Sequence, residues 1–191
     1  MQRVSTAISE SPVLTGRAAS TSFLLAALLA SGLAAYSLYD SPDMAGLLVG
    51  LACAGFIFAS WYDLNYYLIP DALTYPGSIL LLLAAALLPG ASFEAALFRL
   101  LVGGGSHVFL NLISHGKVGL GDAKLAAFGG ALVGVNYVLP ALFLASLVAL
   151  VPALTLIVLH RLSWRQALPY GPALSIGFIV VALAAGTTLS P

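Results

Sequence analysis

Between Leu125 and Leu159 the chain runs for 35 residues without one charged side chain. That is too long for a single helix across a hydrocarbon core of ~30 Å, and too apolar for a soluble surface. The run has to fold as two helices, and Gly134-Val135-Asn136 followed by Pro140 supplies the break. The rest of the chain obeys the same constraint. Only 7% of its 191 residues are charged, 61% are hydrophobic and the mean hydropathy is +1.05, which puts it among polytopic membrane proteins. Seven charge-poor stretches are long enough, or nearly so, to cross as helices: 21–39, 44–62, 72–88, 95–113, 124–138, 140–159 and 173–189. The expected fold is an all-α membrane bundle of about seven transmembrane helices, or six if the fifth and sixth merge.

Basic residues orient such a bundle, because loops rich in Lys and Arg stay in the cytoplasm. With seven spans and a cytoplasmic N-terminus, Arg3, Arg17, Lys117, Lys124, Arg161 and Arg165 fall inside and only Arg99 falls outside. Merging spans five and six would move Arg161 and Arg165 outside, so the charges favour seven. Arg99 is expected near a helix end, its stem reaching the headgroups. A secretory signal peptide is the competing reading of the first span, with Leu33-Ala34-Ala35 as its cleavage site. The full span length and the charge asymmetry speak against it.

Residues 1–20 read as a polar tail and residues 21–191 as a single transmembrane domain. A net charge of zero leaves no basic footprint for nucleic acid. The single cysteine, Cys53, excludes intrachain disulfides and a Cys-x-x-Cys zinc site, and no His/Asp/Glu spacing marks another metal or cofactor site. Small residues recur at four-residue spacing in Gly46, Gly50 and Ala54, and again in Gly130 and Gly134. Such ridges let helices pack closely in lipid.

In so charge-poor a chain, a carboxylate beside the bilayer needs a reason. Asp63 ends the second span, and the orientation above puts it on the same cytoplasmic side as Asp122, in Gly119-Leu120-Gly121-Asp122-Ala123-Lys124-Leu125. Two carboxylates on one membrane face are the minimum equipment for aspartic proteolysis. Simpler roles exist: an interfacial aspartate reaching water for Asp63, and helix capping for Asp122 and for Asp71, which opens the third span. Capping alone does not call for Gly119 and Gly121. A third segment, Leu168-Pro169-Tyr170-Gly171-Pro172, leads into the last span on the same side and could edge a groove. His107 reads as a bundle residue bonded to a neighbour, and His160 as an interfacial one.

In this order the segments resemble the type IV prepilin peptidases, the Gly-x-Gly-Asp membrane aspartic proteases that trim prepilin leaders. The family pattern has an aspartate (Asp63), then Ile69-Pro70-Asp71, then Gly119 to Leu125, then Pro169-Tyr170-Gly171. The resemblance covers roughly residues 44–185. It implies an aspartic endopeptidase of the inner membrane with Asp63 and Asp122 as its catalytic pair. Its partners would be the lipid bilayer and the leaders of prepilins or pseudopilins. Gly119, Gly121, Lys124, Pro169, Tyr170 and Gly171 would line the substrate path, the two glycines admitting an extended backbone. Many members also methylate the new N-terminus through an added domain with paired cysteines. This sequence is similar to the short, peptidase-only kind associated with tight-adherence (Flp-type) pilins, so cleavage without methylation is expected.

Helix ends suggest how the two carboxylates divide the work. Asp122 at a helix N-terminus meets the positive end of the macrodipole, which favours its charge, and Asp63 at a C-terminus meets the negative end. Rival readings are a presenilin or signal-peptide-peptidase relative, and an ion- or proton-coupled transporter. The first places its aspartates mid-membrane on consecutive spans, and the second near the midplane. Here both aspartates sit near helix ends with two spans between them.

Overall fold

The computed structural model describes residues 16–40, 43–116, 118–159 and 168–184. Seven helices follow one another: α1 (Gly16–Asp40), α2 (Met44–Tyr66), α3 (Asp71–Leu87), α4 (Phe93–Ile113), α5 (Leu120–Leu132), α6 (Val135–Val158) and α7 (Gly171–Ala184). Each expected span is a helix among the described residues; the end of the last one, 185–189, lies outside them. Three of them, α2, α4 and α6, are long and apolar enough to cross a membrane by themselves. The boundaries differ in two places. Helix α1 starts at Gly16, so the last five residues of the expected tail are helical, while 1–15 lie outside the described residues. The break between the fifth and sixth helices falls at Val133 and Gly134, not further on at Pro140. Pro140 lies inside α6, in its second turn, where it removes one i→i−4 hydrogen bond without ending the helix. Arg3, Lys117, His160, Arg161 and Arg165, which carried much of the orientation argument, lie outside the described residues.

Short connections bring α1 onto α2 and α4 onto α5 as antiparallel neighbours, and α6 packs on α7. Helices α2 and α7 then close the bundle around Phe56, Phe128 and Phe178. Phe56 stacks on Phe178 at 5.8 Å and tilts against Phe128 at 4.9 Å. Ser175 of α7 donates to the Phe56 carbonyl at 3.0 Å, so this core has a directional bond as well as apolar contact. The α1 helix packs on α2: a Cβ on Gly50 would lie 3.0 Å from Ala34 Cα, a close approach at one of the small residues read from sequence.

The tightest crossing is α4 on α5. Cβ atoms added at Gly103 and Gly130 would drive into the carbonyl oxygens of Ala126 and Arg99, so the two backbones touch. This closeness also corrects the expectation for Arg99. It does sit near a helix end, in the second turn of α4, but its side chain is buried and Nε has no hydrogen-bond partner. The glycine-lined contact that brings α5 against its backbone leaves the arginine covered instead of reaching water.

At the end of the bundle where α2 finishes, Phe58, Trp61, Tyr62 and Tyr66 form an aromatic cluster, and Phe23 of α1 meets Trp61 edge-on at 5.2 Å. Trp61 Nε1 donates to Ser22 Oγ at 3.1 Å. Rings with a polar tip gather at membrane–water boundaries, so this end is an interfacial level.

Substitution should separate packing glycines from free ones. Gly130→Leu should destabilise the detergent-solubilised protein by about 1–3 kcal/mol, because the neighbour it meets is backbone. Gly105, with nothing within 4 Å of an added Cβ, should accept alanine without loss. Thermal unfolding of the two variants checks this.

Candidate active site

The C-terminal ends of α2 and α4 and the starts of α3, α5 and α7 converge at the aromatic end of the bundle around a cavity of about 880 Å³. Both Asp63 and Asp122 line it. So do Gly119, Gly121 and Lys124 from the second segment, and Pro169 and Tyr170 from the third. Residues 108 positions apart in sequence become partners here: the backbone N–H of Gly171 donates to Asp63 Oδ2 at 2.8 Å.

Asp63 occupies the last turn of α2, with only 5% of its surface exposed. The helix stops just past it because Tyr67 turns left-handed (φ 53°) and its N–H closes on the Asp63 carbonyl at 2.8 Å. Gly171 opens α7 directly against the carboxylate. A Cβ there would lie 2.7 Å from Asp63 Oδ2, so the third segment needs a glycine for contact with an aspartate.

Asp122 is half-buried in the first turn of α5. The helix cap is Gly119, and Asp122 reaches back to accept its N–H, the return arm of a capping box. The loop before it is shaped locally. Asn111 Nδ2 donates to the Val118 carbonyl, Ser114 Oγ accepts the Val118 N–H at 3.3 Å, and Gly116 turns left-handed with φ +81°. A Cβ on Gly119 would lie 3.0 Å from Asp122 Oδ2, and one on Gly121 would lie 3.4 Å from Ile69. Gly119 therefore makes room for the Asp122 carboxylate itself, a role that its spacing alone does not reveal, whereas a side chain at Gly121 would meet Ile69 in ordinary contact.

Burial, and then the charge of Asp63, push the Asp122 carboxyl from 3.8 up to about 6, against the Gly119 hydrogen bond that lowers it. This reverses the expectation from helix ends. A macrodipole is worth ~0.3–1 kcal/mol, less than one pK unit, and desolvation beside a like charge exceeds it.

Asp71 also departs from its expected role. It is the first residue of α3, and the cap is Pro70, which makes no side-chain bond. The Asp71 carboxylate instead accepts from Lys124 Nζ at 2.7 Å, with that ammonium 5.2 Å from the centre of the Tyr75 ring. Lys124 thus ties the start of α3 to α5. Ile69 is buried against Gly121, so Ile69-Pro70-Asp71 works as a wedge, a turn and an ion-pair arm.

One wall residue, His107, and one residue that bonds a wall residue, Ser146, were not singled out as site residues from sequence. His107 is buried on the cavity wall, its ring 5.9 Å from Tyr170 and its Nδ1 3.5 Å from Ser106 Oγ. The expectation of a bundle residue with a neighbour holds, but that bundle position is part of the site. Ser146 of α6 meets the Tyr170 hydroxyl at 3.2 Å. Nothing in the sequence pairs it with a tyrosine across an intervening loop. Among the described residues no group of three or more His, Cys, Asp and Glu side chains is placed to hold a metal ion.

Residues 50–154, which include both aspartates, match the type IV leader peptidase family. The chain belongs to that family. It is 30% identical over 128 residues, 67% of its length, to a prepilin leader peptidase/N-methyltransferase of Bacillus subtilis (strain 168), covering 52% of that protein. With a protein of the same description from Dickeya chrysanthemi it is 34% identical over 164 residues, 81% of its length and 53% of the relative. The chain thus spans about half the length of the curated relatives it matches. No solved structure matches it.

Gly171→Ala tests the contact that closes the cavity. It should lower kcat/KM by about 10- to 100-fold, the worth of a charge-assisted hydrogen bond. The protein should still accumulate in membranes, and kinetics on that preparation give the answer.

Proposed function

We propose that Asp63 and Asp122 are the catalytic pair of an aspartic endopeptidase that removes the leader of Flp-like prepilins or pseudopilins at the cytoplasmic face of the inner membrane. One observation carries this reading: two carboxylates from separate helices face one cavity, and the charge of one raises the proton affinity of the other. That is the asymmetry that aspartic proteolysis uses. Asp63, held by the Gly171 N–H, takes a proton from water as the water oxygen attacks the scissile carbonyl carbon. Asp122 gives its proton to the carbonyl oxygen, forming a tetrahedral diol. Collapse of the diol breaks the C–N bond, with a proton passed to the departing amine. Because the pair titrates as a unit, the roles describe the state entering the reaction.

The wall around the carboxylates suits an extended peptide. Pro169 and Tyr170 form one edge, Gly119 and Gly121 the other, and Lys124 stands at the rim. The basic residues in the sequence support a cytoplasmic mouth. Methylation calls for a polar site that these 191 residues do not supply in the expected paired-cysteine form, since their one cysteine, Cys53, is buried in α2. The product proposed for these 191 residues acting by themselves is a trimmed, unmethylated pilin. Mass spectrometry of pilin processed with S-adenosylmethionine present should show leader loss alone; a product heavier by one methyl group would contradict it.

Asp63→Asn and Asp122→Asn should each cut the cleavage rate by about 10³-fold or more in membranes that still contain the protein. Asp71→Asn should keep most of the activity, because an exposed ion pair contributes little. If Asp71→Asn is inert and Asp63→Asn is active, the pair is misassigned.

The pH profile follows from Asp122. Its acid form is present below about 6 and is lost above it, so kcat should fall as pH rises through that region. The slope should approach tenfold per pH unit when no other step limits the rate. A rate still rising between pH 6 and 8 would mean that Asp122 is not the proton donor.

A further inference from the structure

A second cavity, of about 570 Å³, opens on the side of the bundle between α3, α4 and α5. Its walls are Tyr75 and Ile79 on one side and Leu101 and Val108 on the other, all exposed, with Gly104 and Gly105 along its length. Gly104 is packed, since a Cβ there would lie 2.8 Å from Ala127 Cβ, whereas Gly105 faces open space. From Tyr75 to Leu82 the groove runs two helical turns, about 10 Å, away from the catalytic end. It meets the catalytic cavity at Leu120 and Lys124, which line both.

We infer that this groove receives an apolar helix of the substrate, continuous with the peptide held at Asp63 and Asp122. The inference rests on the peptidase reading above and names the route by which substrate reaches that site. Three observations choose the occupant. The walls are apolar side chains on the flank of a membrane bundle, which suits a lipid-embedded helix and no polar ligand. Gly105, at the surface, leaves space unfilled in which a second helix can approach closely. The groove also runs into the catalytic cavity, so a chain leaving the aspartates past Lys124 enters it directly. The other apolar groove, about 240 Å³ between α2 and α3, shares no residue with the catalytic cavity and has no such exit.

Gly105→Trp fills the groove from a position where nothing else must move. It should raise KM at least tenfold for a membrane-anchored substrate and leave cleavage of a short peptide, lacking the apolar helix, unchanged. Leu150→Trp on the exposed side of α6 should change neither. Wild-type kinetics on both substrates in Gly105→Trp, or an equal effect from Leu150→Trp, would overturn the assignment. If the wild-type protein cuts neither substrate, the peptidase reading falls and the groove assignment with it.

Should Gly105→Trp fail to fold, single-cysteine crosslinking decides the matter, because Cys53 is fully buried and stays silent. In an Asp122→Asn background, Val108→Cys and Ile79→Cys should crosslink to a cysteine in the apolar segment of the substrate, and Leu150→Cys should not. No crosslink, a crosslink from Leu150→Cys alone, or self-pairing of Val108→Cys between two copies would each refute the inference.

Discussion

Asp63 is the most demanding group to place in this bundle. A carboxylate with 5% of its surface exposed loses most of its hydration, and a buried acceptor without a partner costs about 1–3 kcal/mol or more. The remedy is one backbone N–H, that of Gly171, and much of the architecture serves its delivery. Helix α7 has to start level with the last turn of α2, which needs a glycine at the contact and close packing of α7 on Phe56 and Ala141. The end of α2 is held in turn by the left-handed Tyr67 and the bond from Trp61 to Ser22. Changes along the α2–α7 seam should therefore register at the aspartate before they register in the fold.

Much of this was legible in the chain because membrane helices are coded by length and charge. Stretches such as 44–62 and 95–113 became helices with nearly those bounds, since an unpaired backbone in lipid leaves few alternatives. The break near Gly134 was readable as an interruption, but its position was not. Pro140 costs α6 one backbone bond, but the helix continues through it, and the chain turns earlier, at Val133 and Gly134. The site divides in the same way. Asp63 and Asp122 stood out because charge is scarce. Ser146 and the burial of Arg99 had no local signal, because each depends on which face of one helix meets another.

The glycines show how a motif can be found for one reason and used for another. Gly119 and Gly121 suggested room for a substrate backbone, yet the nearest neighbours of the missing side chains are Asp122 and Ile69. The first shapes the turn from which Asp122 reaches back to the Gly119 N–H, and the second receives the wedge that starts α3. Asp71 and Lys124 stitch two helix ends, the starts of α3 and α5, to the same point. The pattern Ile-Pro-Asp with Gly-x-Gly-Asp-x-Lys is in this sense a single tertiary joint written in two places. The two helices between the aspartates let that joint form at one end of the bundle, unlike an arrangement of consecutive mid-membrane spans.

The bond between residues 63 and 171 also sets an order for biosynthesis. A chain emerges N-terminus first, so α2 is made more than a hundred residues before the amide that completes its carboxylate. Until α7 is inserted, Asp63 keeps its water or its proton, and the cavity lacks the edge formed by Pro169 and Tyr170. A ribosome-bound intermediate therefore carries both aspartates without a finished site between them. The proposed site is therefore complete only once α7 has entered the membrane beside α2.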